Sequence, residues 1–148
     1  MTLLPVSSPS RDALVAELVR YFVQEGFVVH GALGVEGYDP PPTVRNDGFG
    51  SARPCRPDVV GLDSYSRRIV FGLVREDRGS LDSEQSLEEY NVFLDHNAGL
   101  REQASVLYVL LPASLLEEFT SLITHYVHRE YWHRVIPVAS GTRGREST

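Results

Sequence analysis

Two residues at the ends of neighbouring apolar stretches stand out for their chemistry. In the segment Arg56–Arg78, RPDVVGLDSYSRRIVFGLVREDR, alternation places Asp58, Val60 and Leu62 on one face of a first strand. It places Ile69, Phe71, Leu73 and Arg75 on one face of a second strand. A carboxylate therefore opens one buried strand and a guanidinium closes the next. An arginine keeps its proton to about pH 12 and cannot act as a base, but its planar fork can hold a phosphate. The alternative is an ion pair between Asp58 and Arg75 with no ligand, neutral for stability, in which loss of one buried partner costs about 3–5 kcal/mol.

Other constellations carry weaker signals. His125 and His128 lie three residues apart at a helix end, with His133 close behind, a spacing that can hold zinc. No cysteine or carboxylate completes the set, and histidine at a helix C-terminus also interacts well with the helix dipole. Cys55, between Arg53 and Arg56, has cationic neighbours that would lower a thiol pKa, with His30 as its only candidate base; a small apolar core residue is the competing reading. The glycines of GALGVEG lack the spacing of a nucleotide-binding loop. Tyr126, Tyr131 and Trp132 read as core or as an aromatic patch for self-association.

The chain has 148 residues, a net charge of −6 and no lysine, so all 14 basic residues are arginine. That excludes any mechanism built on a lysine amine. Seven of the arginines fall within residues 45–78, which carry +2 overall against −3 before them and −5 after. An acidic chain repels nucleic acid on average, yet a local cluster can hold a phosphate backbone, and Arg45, Arg53, Arg56, Arg67, Arg68 and Arg78 are the candidates. The competing reading is a solvated turn. No apolar run reaches membrane-spanning length and the N-terminus lacks a basic start, so the expectation is a cytoplasmic protein with no membrane partner. A single cysteine agrees with a reducing compartment.

The elements that must position these residues follow from periodicity. Residues 1–10 are a lead-in, with Ser8 and Pro9 as N-cap and first-turn signals, and 140–148 a polar tail, leaving 11–139 as one domain. A helix to about Glu25 carries Leu14, Leu18, Tyr21 and Phe22 on one stripe with Glu17 on its border, a flank residue or one leaning over the sheet edge. A strand at 27–31 precedes a glycine- and proline-rich loop, 32–55, which reads as a flap or a surface insertion and hides a hairpin near Val44. Strands 57–63 and 68–75 pair antiparallel through Ser64-Tyr65-Ser66. Asp82 and Gln85 form a capping box for a helix bearing Leu87, Tyr90, Phe93 and Leu94, with Glu84, Glu88 and Glu89 on its acidic outer face and a short extension through HNAGLREQ. Ser105–Leu111 is an interior strand, 113–130 a second long helix, and Trp132–Ala139 the last strand. The predicted fold is α/β: a single domain with a mixed sheet flanked by helices, in the order α-β-(long loop)-β-β-α-β-α-β.

This order and its central hairpin, with Pro57-Asp58 followed by Gly72-Leu73-Val74-Arg75, resemble the PD-(D/E)XK nuclease superfamily, the restriction-endonuclease-like fold shared with Holliday-junction resolvases, over about residues 11–138. The resemblance implies that Asp58 is the family aspartate, Glu17 the helix glutamate, Leu73 the position of the second acid and Arg75 that of the lysine. Asp58 and Glu17 are the metal candidates it implies, and Asp58, Arg75 and Glu17 the catalytic positions. Leu73 offers no oxygen ligand, so a migrated acid from Glu76, Asp77, Glu84 or Glu88 would be needed for hydrolysis. Three readings result. The first is a nuclease-fold protein without hydrolysis and without a cofactor, a binding or assembly module associated with DNA, as a homodimer or with another protein. The second is an active nuclease using magnesium or manganese at a rearranged site. The third is a protein-interaction domain with no nucleic-acid role.

Overall fold

A computed structural model describes residues 10–45, 54–96 and 103–141. Helix α1 (Arg11–Gln24) starts on Ser10, whose hydroxyl accepts the Ala13 N–H, and ends at Gly26, where φ is +88°. Ser8 and Pro9, the expected start signals, lie outside the described residues. Strand β1 (Phe27–Ala32) follows, and the chain next enters the sheet at β2 (Val59–Asp63) and β3 (Ile69–Val74). Among the described residues between them, Val44 and Cys55 form an antiparallel bridge, which begins rather than ends at Val44 and so is not the hairpin expected to finish there.

A short 3-10 turn (Arg78–Ser80) leads into α2 (Glu84–Asp95), then β4 (Val106–Pro112), α3 (Leu116–Tyr126) and β5 (Val135–Ser140). The five strands lie side by side in chain order, β1 to β3 antiparallel and β3 to β5 parallel, so the sheet is mixed and flanked by helices on both faces, as predicted. Since β3, β4 and β5 step across the sheet in one direction, their two crossovers lie on one side and α1 occupies the other.

Alternation along the strands splits the core in two. Leu14, Leu18 and Phe22 of α1 pack on Val59, Val70, Tyr108 and Leu110. Phe71, Leu73, Leu107 and Val109 face α2 and α3, against Tyr90, Phe93, Phe119 and Ile123. Strand β4 is covered on both faces, which explains its unbroken apolar run. Gly72 lets α1 approach: a Cβ there would stand 2.7 Å from a Leu18 methyl.

Three boundaries differ from expectation. The N-cap of α2 is Ser83, which accepts the Ser86 N–H; the Asp82 box does not form because the cap falls one residue later and puts Gln85 at the second helical position, where it donates to Glu89. Helix α3 stops at Tyr126 rather than 130, and β5 starts at Val135 rather than Trp132, with a 3-10 turn (Arg129–Arg134) between. Side chains replace helical hydrogen bonds there: His128 Nδ1 accepts the Glu130 N–H and the Trp132 indole donates to the Val127 carbonyl. The extension predicted through HNAGLREQ falls mostly on residues outside the described set.

Candidate functional site

The parallel strands β3, β4 and β5 end at one edge of the sheet, where β2 begins and α1 starts. In open α/β sheets the carboxyl ends of strands are where ligands bind. Asp58, Arg75 and Glu17 all reach this edge, but in three separate hydrogen-bond sets.

Asp58 is held by its main chain on both sides, donating its N–H to Gly72 and accepting from Leu33 on its carbonyl. Its side chain is 3% exposed, and Oδ2 accepts the Val74 N–H at 2.9 Å. The remaining partner comes from the first residue of α1. Nη2 of Arg11 lies 2.9 Å from both Asp58 oxygens, and Nη1 reaches Glu76 Oε1 at 3.4 Å. One half-exposed guanidinium thus bridges a buried and a surface carboxylate.

Arg75 lies one residue beyond β3, on the face of Phe71 and Leu73, and is directed at α2. Nε donates to the Tyr90 hydroxyl at 3.1 Å, Nη1 to the Val74 carbonyl at 3.2 Å and Nη2 to Glu89 Oε1 at 2.7 Å. The Tyr90 hydroxyl donates to the Leu81 carbonyl at 2.8 Å, and Gln85 donates to the other Glu89 oxygen. Burial alone would lower the Arg75 pKa, but Tyr90 and Glu89 outweigh it and the pKa is raised. Burial likewise raises the Tyr90 pKa, against an opposing pull from Arg75. Arg75 is therefore a permanent cation and Tyr90 a neutral phenol. The Asp58–Arg75 pair, the alternative to a ligand-holding arrangement, does not form, because each residue has a nearer partner delivered by a different helix.

Glu17 accepts from the Ser140 hydroxyl at 3.0 Å and the Gly141 N–H at 2.7 Å, pinning the end of β5. It does lean over the sheet edge, but its ligands are not shared with Asp58. Leu73 is buried in the α2 and α3 core. Of the acids that hydrolysis would need, Glu76 is on Arg11, Asp77 accepts the Ser80 N–H at the 3-10 turn and Glu84 is exposed in the first turn of α2. Among the described residues no three His, Cys, Asp or Glu side chains are grouped to hold a metal ion. The donor set at Asp58 does not fit a divalent cation: an ion there would meet the Arg11 charge at hydrogen-bond range and an apolar Leu73 where a second carboxylate is required.

The arginine-rich segment is divided by the fold. Arg75 is internal and Arg78 pairs with Glu118 at 2.7 Å. Arg45 and Arg56 are exposed on the flap side, whereas Arg67 and Arg68 sit on the hairpin at the far end of the sheet. Arg53 lies outside the described residues. Among the histidines, His125 packs edge-on against Tyr126 and His128 lies tilted against Tyr131, ring centres 6.2 Å apart. Cys55 is buried in the core beside Val44. Of the aromatic cluster, Tyr126 and Trp132 are partly exposed while the Tyr131 hydroxyl donates to Asp95.

Three residues that hold these networks together escape the sequence reading. Glu89, expected on the acidic outer face of α2, instead turns inward to Arg75 and is 13% exposed; its spacing of three from Ser86 and four from Phe93 was the available signal. Arg11 is marked only by its place at the start of α1. Arg134 is buried and donates to the carbonyls of Ser105 and Leu94, closing the C-terminal end of α2, with no local sequence cue. Compared with family models, with curated proteins and with solved structures, the chain gives no match.

Proposed function

We propose that this chain is a noncatalytic binding module on a nuclease-like scaffold, associated with nucleic acid. The observation that carries the reading is the Arg11 guanidinium seated on both oxygens of Asp58. A carboxylate so engaged is neutralised from within the chain and lacks the open coordination that a hydrolytic metal site requires. Leu73 and the locked Arg75 agree with it, since neither can supply a ligand or a base. Association with nucleic acid rests on the exposed Arg45, Arg56 and Arg67, which stand outside the internal ion pairs of the sheet edge.

The test is binding and cleavage measured on the same single-stranded, duplex and branched DNA. Binding that weakens as salt rises, without cleavage in magnesium or manganese, is the expected result. A protein-interaction domain is the competing outcome, recognised by no DNA binding and by a co-purifying partner. Metal-dependent cleavage abolished by Asp58→Ala would overturn the noncatalytic reading.

A further inference from the structure

The hairpin between β2 and β3 presents a feature that the sheet edge does not explain. Tyr65 is 98% exposed, yet its loop is tied down rather than loose. Asp63 Oδ1 accepts the N–H groups of Tyr65 and Ser66 at 3.0 and 3.5 Å, the Ser66 hydroxyl accepts the Arg68 N–H at 3.3 Å, and Arg67 N–H donates to the Asp63 carbonyl at 2.8 Å. The ring is thus displayed at low ordering cost, the property that makes an exposed aromatic a good anchor.

Arg67 adopts φ +67°, the one non-glycine left-handed residue among those described. Glycine is favoured at such a position, and a Cβ there is strained. Arginine at a position where glycine would be more stable places a charge on the tip at a conformational cost. Arg68 adds a second guanidinium, close enough to Arg134 to help lower its pKa, after burial itself. Residues 63–68 hold one ring, two guanidiniums, two serine hydroxyls and the Asp63 carboxylate, which is turned to the loop N–H groups, but no aliphatic side chain. That composition suits a base and its phosphates better than the apolar core of a protein interface.

We propose that this hairpin tip is a contact site for nucleic acid with unpaired bases, Tyr65 stacking on a base and Arg67 pairing with the adjoining phosphate. It rests on the nucleic-acid reading above and names a surface for it, at the opposite end of the sheet from Asp58. An unpaired base is required because a ring cannot stack on a base already enclosed in a duplex.

The experiment is fluorescence anisotropy of the full chain with a labelled oligothymidylate and with a matched duplex, across a salt series, alongside thermal unfolding. Tyr65→Ala is expected to weaken single-strand binding roughly tenfold, with Tyr65→Trp retaining it. Arg67→Gly is expected to reduce the salt slope by about 0.7 while Tm rises by roughly 2 °C, a combination that damage to the fold cannot produce, and Arg67→Lys keeps the slope. Wild-type binding unchanged in Tyr65→Ala and Arg67→Gly overturns the tip and leaves the broader reading standing. No binding by the wild type overturns both. Equal affinity for duplex and single strand with Tyr65 indifferent, or loss of a protein partner alone in the tip variants, also overturns it.

Discussion

At the scale of single residues, the site is governed by which charge lies nearest to which. Asp58 is buried and would be costly to leave alone, and Arg11 is the cation that satisfies it. Since the Arg11 side chain is 43% exposed, its removal should cost less than breaking a wholly buried pair. Arg11→Ala is expected to lower stability by about 1–3 kcal/mol in urea unfolding, with Arg11→Lys recovering part of the loss. A neutral result would mean that Val74 N–H and solvent suffice for Asp58. Tyr108 supplies a second prediction at this scale. Burial first, then Tyr21, Glu25 and Asp63, push its pKa from the usual 10 up to about 12. The folded form holds the phenol proton more tightly than the unfolded one. Its contribution is therefore complete below pH 10 and is lost as pH rises through about 12. The expected loss is about 2–3 kcal/mol over that window, read by unfolding together with tyrosinate absorbance; Tyr108→Phe should flatten it.

At the scale of elements, the contact between α1 and the sheet depends on one missing side chain. Leu18 and Phe22 occupy the space above Gly72. Gly72→Ala should push α1 outward or force both side chains off their rotamers, costing about 1–3 kcal/mol. A variant as stable as wild type would contradict that packing. The elements were largely readable because burial imposes period. The apolar alternation of β2 and β3, the unbroken run of β4 and the stripe of α1 each report the layer that covers them. The end of α3 was not readable, since it is decided by His128 and Trp132 reaching the main chain rather than by any breaker residue. The site was readable only in part. Asp58 and Arg75 were visible from their places at strand ends, but their partners arrive from 47 and 14 residues away in sequence. Local spacing carries no record of which helix end meets which strand.

At the scale of the whole molecule, the two ends of the sheet differ in kind. At the carboxyl edge, Arg11, Asp58, Arg75, Glu89 and Glu17 are engaged with one another or with the main chain, a pattern suited to holding elements together. At the far end, the hairpin displays Tyr65 and Arg67 outward on a braced loop. Among the described residues no helix is long and apolar enough to cross a membrane. A net charge of −6 opposes nonspecific attraction to nucleic acid, so any association should be local, with a salt slope set by the few arginines in contact.

The most direct measurement is incubation of the purified protein with labelled single-stranded, duplex and branched DNA in manganese, beside Arg11→Ala and Asp58→Ala. If the Arg11–Asp58 pair closes this edge to hydrolysis, wild type and both variants leave every substrate intact while wild type retains salt-sensitive binding. Cleavage by the wild type that requires manganese and disappears in Asp58→Ala would contradict this.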